Sequence, residues 1–302
     1  MNKRNYIAAG LAIFLAITVS VDAADTSYKH WRNAMKAAEQ AKFARDFQKM
    51  REILEGSAAE AQQHGPITSA ENAYWLAVAY TRLRMDPEAI ETFNKELERI
   101  GPKPTALKLQ ILRGLILNQR SIIEFRMKDY EKAMSSAVEA RDVLENAAGK
   151  YHPELFDVHR TIGAIYALQK NYPEAEKALK TALKLAQVKP VGGFDDMGFL
   201  AIGDAQPDRI ILAASRLGEM YEVQGKLGEA EEAYQTALKS AQAAYPKESV
   251  MRLVPLRHLA AVELARGKTQ DFNKHVDQSY DVLSKWQGLQ PENLRPLWLK
   301  LQ

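Results

Sequence analysis

Asn171-Tyr-Pro-Glu-Ala175-Glu-Lys-Ala-Leu179-Lys-Thr-Ala182 and Lys226-Leu-Gly-Glu-Ala230-Glu-Glu-Ala-Tyr234-Gln-Thr-Ala237 superimpose without a gap, and Asp129-Tyr-Glu-Lys-Ala133-Met-Ser-Ser-Ala137-Val-Glu-Ala140 lies over both. In each, a turn-forming start leads to an alanine, then a larger or apolar residue four on, then an alanine three further. Spacings of four and three bring these positions onto one face of a helix. A second motif stands upstream. Ile162-Gly163-x-x-Tyr166 precedes Ala175, Leu217-Gly218-x-x-Tyr221 precedes Ala230, and Leu76-Ala77-x-x-Tyr80 precedes Ala89, with Phe93 four later. Glycine and alanine allow two helices of a hairpin to approach closely, and the aromatic rings fill the space between adjacent hairpins. A hairpin of this kind buries its apolar face only by stacking on the next.

The pair of motifs resembles the tetratricopeptide repeat, with Leu-Gly-x-x-Tyr on the first helix and Ala-x-x-x-Phe-x-x-Ala on the second. The second-helix alanine position falls at Met50, Ala89, Ala133, Ala175, Ala230 and Phe272, at separations of 39, 44, 42, 55 and 42 residues. A period near 42, with Tyr151-His152-Pro153-Glu154 before a first helix, is similar to the kinesin-light-chain form of the repeat. The resemblance implies an all-α, right-handed α-solenoid of about six hairpins, with units near 31–64, 70–100, 114–147, 156–189, 211–245 and 253–285. Helix breaks fall between them, as at His64-Gly65-Pro66 and Gly101-Pro102-Lys103-Pro104. In the 114–147 unit, Arg120, Ser121 and Glu124 replace Leu, Gly and Tyr, which predicts a shifted packing register. Residues 286–302, with Trp286, Leu297 and Trp298, are expected to cap the last unit.

The chain begins with basic Lys3 and Arg4, continues through an apolar run from Tyr6 to Val21, and reaches Val21-Asp22-Ala23. This is the order of a secretory signal, and the run is shorter than the roughly 20 residues that span a bilayer. Cleavage after Ala23 is expected, giving a signal peptide at 1–23, a repeat domain at 24–302 and an exported protein, periplasmic or secreted. An uncleaved N-terminal anchor is the other reading. With the signal removed, no stable membrane span is expected.

Composition narrows the chemistry. The 302 residues carry 41 Lys+Arg against 38 Asp+Glu, and the net charge of +3 argues against nucleic acid as a partner. The absence of cysteine removes disulfides, thiolate metal sites and cysteine nucleophiles. His30, His64, His152, His159, His258 and His275 stand at no metal-ligand spacing, and no phosphate loop, dinucleotide fingerprint or nucleophile elbow is present. No catalytic residue, cofactor site or metal site is expected. Charge is uneven, however: residues 29–51 carry a net +5, which could attract an acidic peptide or an anionic surface, or simply form solvated helix faces.

The resemblance also implies a concave groove lined by first helices, which would bind a protein or peptide segment. In that register the candidates are Glu71, Tyr74, Val78, Asn118, Ile122, Phe125, Arg160, Ala164, Leu212, Ser215 and Glu219, with Tyr74, Val78, Asn118, Ile122, Phe125 and Arg160 foremost. The Lys/Asn/Arg clamp of the chaperone-binding members is not found in register. The glycine-rich segment 187–210 lengthens one linker, and its Phe194 and Phe199 make it a candidate contact loop; a tolerated insertion is the other reading. Function is thus expected to be that of a non-enzymatic scaffold. Alternatives are an envelope assembly or secretion component acting through other surfaces, and a small-ligand binder or enzyme using 187–210 as a lid.

Overall fold

A computed structural model describes residues 26–152, 154–188 and 206–287. The apolar start and Ala23, the loop carrying Phe194 and Phe199, and nearly all of the expected cap lie outside the described residues. Regular structure among the described residues is entirely helical, in six consecutive hairpins. They pair α1 (26–43) with α2 (Phe47–Gln63) and α3 (Pro66–Arg82) with α4 (Asp86–Ile100), and α5 (Leu107–Arg126) leads through a like turn into α6 (Tyr130–Ala148). They continue with α7 (Leu155–Leu168) and α8 (Tyr172–Gln187), α9 (Gln206–Val223) and α10 (Leu227–Ala244), and α11 (Leu253–Ala265) and α12 (Thr269–Gln287).

Every hairpin closes through the same three-residue turn. The last of the three donates its N–H to the carbonyl five residues back: Asp46 to Ala41, Met85 to Tyr80, Asp129 to Glu124, Asn171 to Tyr166, Lys226 to Tyr221 and Lys268 to Glu263. This is the longer bond of a Schellman motif, which satisfies the last carbonyls of the first helix. The residue before each donor has positive φ: Arg45, Arg84, Lys128 and Lys170 in four hairpins, Gly225 and Gly267 in the last two. The common geometry settles the third hairpin as well. Glu124 occupies the tyrosine position with no shift relative to its turn, and its carboxylate accepts a hydrogen bond from Ser136 Oγ at 2.6 Å.

Only glycine adopts this turn conformation without steric cost. A Cβ at Gly225 or Gly267 would meet open space, so the penalty there is purely backbone. Gly225→Ala and Gly267→Ala are each expected to lower stability by about 1 kcal/mol, read as a fall in the urea midpoint at unchanged m.

The expected single array divides into two compact units, separated in sequence between Ile123 and Glu124. The division falls in α5, the helix in which Arg120, Ser121 and Glu124 depart from the repeat motif. In the first unit, Met50 and Leu54 of α2, Tyr74 and Trp75 of α3, Phe93 of α4 and Leu112 of α5 are all buried. In the second, one cluster joins Ala175 and Leu179 to Leu217, Tyr221, Ala230, Tyr234, Leu256 and Leu259, so the core runs continuously from α8 to α11. The glycines act there as their positions suggest. A Cβ on Gly163 would lie 2.7 Å from Leu179 Cγ, and one on Gly218 would lie 2.6 Å from the Tyr234 ring. Tyrosines of the first helices reach back to the preceding hairpin: Tyr80 Oη donates to Glu55 at 2.8 Å and Tyr221 Oη to Glu176 at 2.9 Å.

Candidate functional site

Three of the expected groove residues lie in the interior of the first unit. Tyr74 is buried against Trp75 and Phe93, at ring separations of 5.3 and 6.4 Å, and Val78 and Asn118 are buried as well. They present no surface to a partner. For Tyr74 and Val78 the reason is the composition of α3, whose residues from Tyr74 to Ala79 are all buried; Asn118 lies on α5, where Leu115, Ile116 and Leu117 before it are buried too. A helix apolar on every side has no outward face. Glu71 is tied to Lys108 by an ion pair at 2.5 Å. Ile122 is half-buried.

The second unit differs. Phe125 and Arg160 are half-buried: the Phe125 ring lies 5.5 Å from that of Tyr130, and Arg160 is held by Asp157 at 2.8 Å. The first helices α7, α9 and α11 are neighbours, α9 touching each of the others. Leu212 on α9 is exposed, and so is Val254, which occupies the same repeat position on α11. Leu168 and Val223 form a second matched pair, near the C-terminal ends of α7 and α9, and Val223 is 74% exposed. Leu212 and Val223 are three helical turns apart on one face of α9. Between these apolar pairs stand polar groups: Arg160, Arg216 bound to Glu219 at 2.6 Å, and Arg257. Ser215, by contrast, is buried, and Ala164 is half-buried. Leu212 and Glu219 were legible from the register. Leu168, Val223 and Val254 were not singled out, although Val254 could have been found by carrying Leu212 forward one repeat.

Beneath this face the side chains are locked. The Tyr234 ring stacks on His258 at 4.7 Å and 14°, and its hydroxyl donates to Glu222 at 2.8 Å. The Glu222 carboxyl also binds His258 Nδ1 at 3.3 Å, and this bond holds it below the usual carboxylate range despite its burial. Burial above all, with the Glu222 hydrogen bond, pushes the Tyr234 phenol up. Such a network fixes rotamers under a surface.

A second buried cluster lies where α7 begins. His152, Glu154 and Arg209 are each less than a tenth exposed, with Arg209 Nη2 at 3.5 Å from Glu154 Oε1 and its guanidinium 5.5 Å from the Phe156 ring centroid. Burial, and then the charge of Arg209, lower His152 to about 4. The backbone N–H of Glu154 donates to its Nδ1 at 3.3 Å. The histidine is enclosed and, with its pKa so lowered, neutral at pH 7. Among the described residues no group of three His, Asp or Glu side chains could hold a metal ion, and no helix is long and apolar enough to cross a membrane.

Comparison with known proteins agrees with this architecture. Residues 112–187 match the family described as the tetratricopeptide repeat. No curated protein matches. Among solved structures, BtubC (BKLC) from P. vanneervenii is similar with a TM-score of 0.59 at 15% identity, over 88% of this chain and 94% of that one. A kinesin light chain with nearly identical repeats from Podosopora anserina gives 0.52 at 15% identity, over 71% and 95%. PilW, a type IV pilus biogenesis factor, gives 0.56 at 16% identity, over 85% and 98%. Residues 112–187 thus match the tetratricopeptide repeat in sequence, and over most of its length the chain shares its helical fold with these solved structures.

Proposed function

We propose that the protein is a non-enzymatic scaffold that holds a segment of another protein on the first-helix face of its second unit. The observation that carries this is the matched exposure of Leu168, Leu212, Val223 and Val254 on adjacent helices, with Arg160, Arg216, Glu219 and Arg257 between them. Exposed apolar side chains repeated at one position form a surface that gains from being covered, and the intervening charges set the register of what covers it. An extended or helical segment meets both demands. Tetratricopeptide repeats serve in general as interaction scaffolds, which supports the reading. The basic start, apolar run and Val21-Asp22-Ala23 support export, and the fold likeness to PilW is in keeping with work in a cell envelope.

The test is capture of partners by gentle cross-linking in the expressing cell. A partner held by the wild type should be lost with Leu212→Glu/Val254→Glu and kept with Tyr151→Glu, which charges an exposed apolar residue elsewhere, all three having the same helicity by circular dichroism. Retention by the double variant would move the interaction off this face.

A further inference from the structure

We infer that the partner segment of the scaffold proposed above, a reading on which this one rests, is an amphipathic helix laid along α11 with a carboxylate facing Arg257. A 3₁₀ turn, Val250–Arg252, leads straight into α11. Val250, Val254, Arg257, Ala261 and Leu264 follow one another at steps of four, three, four and three. Such steps make one stripe about 21 Å long, the kind of seam on which a second helix packs at a shallow crossing angle. Val250, Val254 and Leu264 are 40%, 46% and 47% exposed, Arg257 is exposed, and Ala261 is half-buried. The repeat itself sets a helix against this line. Glu222 on α9 stands at the position of Leu264, and it binds His258 on α11, the first helix of the following hairpin. Among the described residues no hairpin follows α12, and the stripe on α11 is open.

Charge narrows the occupant. The other ionic groups of α11 and its ends are engaged: Arg252 with the carbonyls of Gln242 and Tyr245, Glu263 with His275, and Arg266 with Glu231. On α9, Glu219 is bound to Arg216, and Glu222 to Tyr234 and His258. Arg257 Nη2 lies 3.2 Å from His258 Nε2, and Arg257 makes no ion pair among the described residues. A cation enclosed in the middle of an apolar seam costs free energy unless a carboxylate meets it. A second copy of the chain does not supply one. Arg257 is the central residue of the five, so two such stripes paired about a two-fold axis would set Arg257 against Arg257. The stripe that fits is a helix of another protein, apolar at steps of three and four, with Asp or Glu at its middle.

The probes are three acetylated, amidated, alanine-rich peptides of about fifteen residues, long enough to form a helix when bound. Each has a leucine seam with the same steps, and they differ only in Glu, Gln or Lys at its middle. Their affinities for the full chain are read by fluorescence anisotropy. The Glu peptide should bind about tenfold more tightly than the Lys peptide, and high salt should shrink the difference. In Arg257→Glu the order should reverse, and Leu264→Glu should weaken all three by about tenfold. Both positions are exposed, so neither variant disturbs the core. Absence of binding to the wild type, or equal binding of the Glu and Lys peptides, overturns the inference. Binding that emerges only in Leu297→Glu/Trp298→Glu overturns it too, and gives the stripe to the C-terminal segment of the chain itself. Loss with Leu168→Glu/Val223→Glu but not with Leu264→Glu would keep the scaffold face and remove the helix from α11.

Discussion

Gly218→Ala is expected to destabilise the second unit by about 2 kcal/mol, although alanine favours a helix by about 1 kcal/mol over glycine. The added Cβ would stand 2.6 Å from the Tyr234 ring, and that ring has nowhere to retreat. It is stacked on His258 and anchored to Glu222 through its hydroxyl. Gly56→Ala is the matched control. Gly56 is exposed in α2, and a Cβ there meets nothing within 4 Å, so stability should rise by up to about 1 kcal/mol. Chemical denaturation of both variants gives the comparison. Opposite signs support the close approach of α9 and α10 as the reason for glycine. A loss reduced by at least about 1 kcal/mol in a Tyr234→Leu background would tie it to the ring itself.

Acid is expected to weaken the second unit by way of two enclosed histidines. Burial and Arg209 lower His152 to about 4, and burial with Arg141 lowers His159 to about 4, against 6.5 in an open chain. Between those values the unfolded chain binds more protons than the folded one. The stabilisation is complete above pH 6.5 and drains as pH falls toward 4. Between pH 7 and pH 5 the loss comes to about 2 kcal/mol for His152, and about 1 for His159, which is nearer to solvent. His152→Asn keeps an acceptor for the Glu154 N–H, and His159→Gln keeps a polar group. Denaturation at the two pH values should show a smaller acid loss in each variant than in the wild type, because shared carboxylates cancel in the difference. The same loss in all three would mean that other groups carry the acid sensitivity.

The elements most legible in the sequence were those held by close packing. Gly163, Gly218, Tyr80 and Tyr221 are written in the motif because a tight helix crossing or a filled gap tolerates few residue types. The turns were not legible as a series, since Arg45, Arg84, Lys128 and Lys170 give no sign that their backbone is left-handed; only Gly225 and Gly267 do. The candidate surface was harder still. Tyr74 and Val78 sit at repeat positions that face outward when the rest of the helix is amphipathic, but α3 has no polar stripe to leave outside. That could have been read from the uncharged stretch Asn72–Tyr80. Leu212, and Val254 one repeat on, lie where the register puts them, while Leu168 and Val223 belong to a position at which the motif sets no requirement. A surface that serves one partner is free to differ from every other surface on the same fold.

The shared hairpin turn also bears on time. Three residues join each pair of helices, and hairpins within a unit stack on their sequence neighbours, so contacts form between residues that are already close along the chain. Closing so short a loop takes tens of nanoseconds, and helices elongate on a similar scale. Chains with contacts this local fold in microseconds to milliseconds. Each hairpin can thus commit to its turn before the next has been released from whatever machine is delivering it, and stacking then proceeds in the order of delivery.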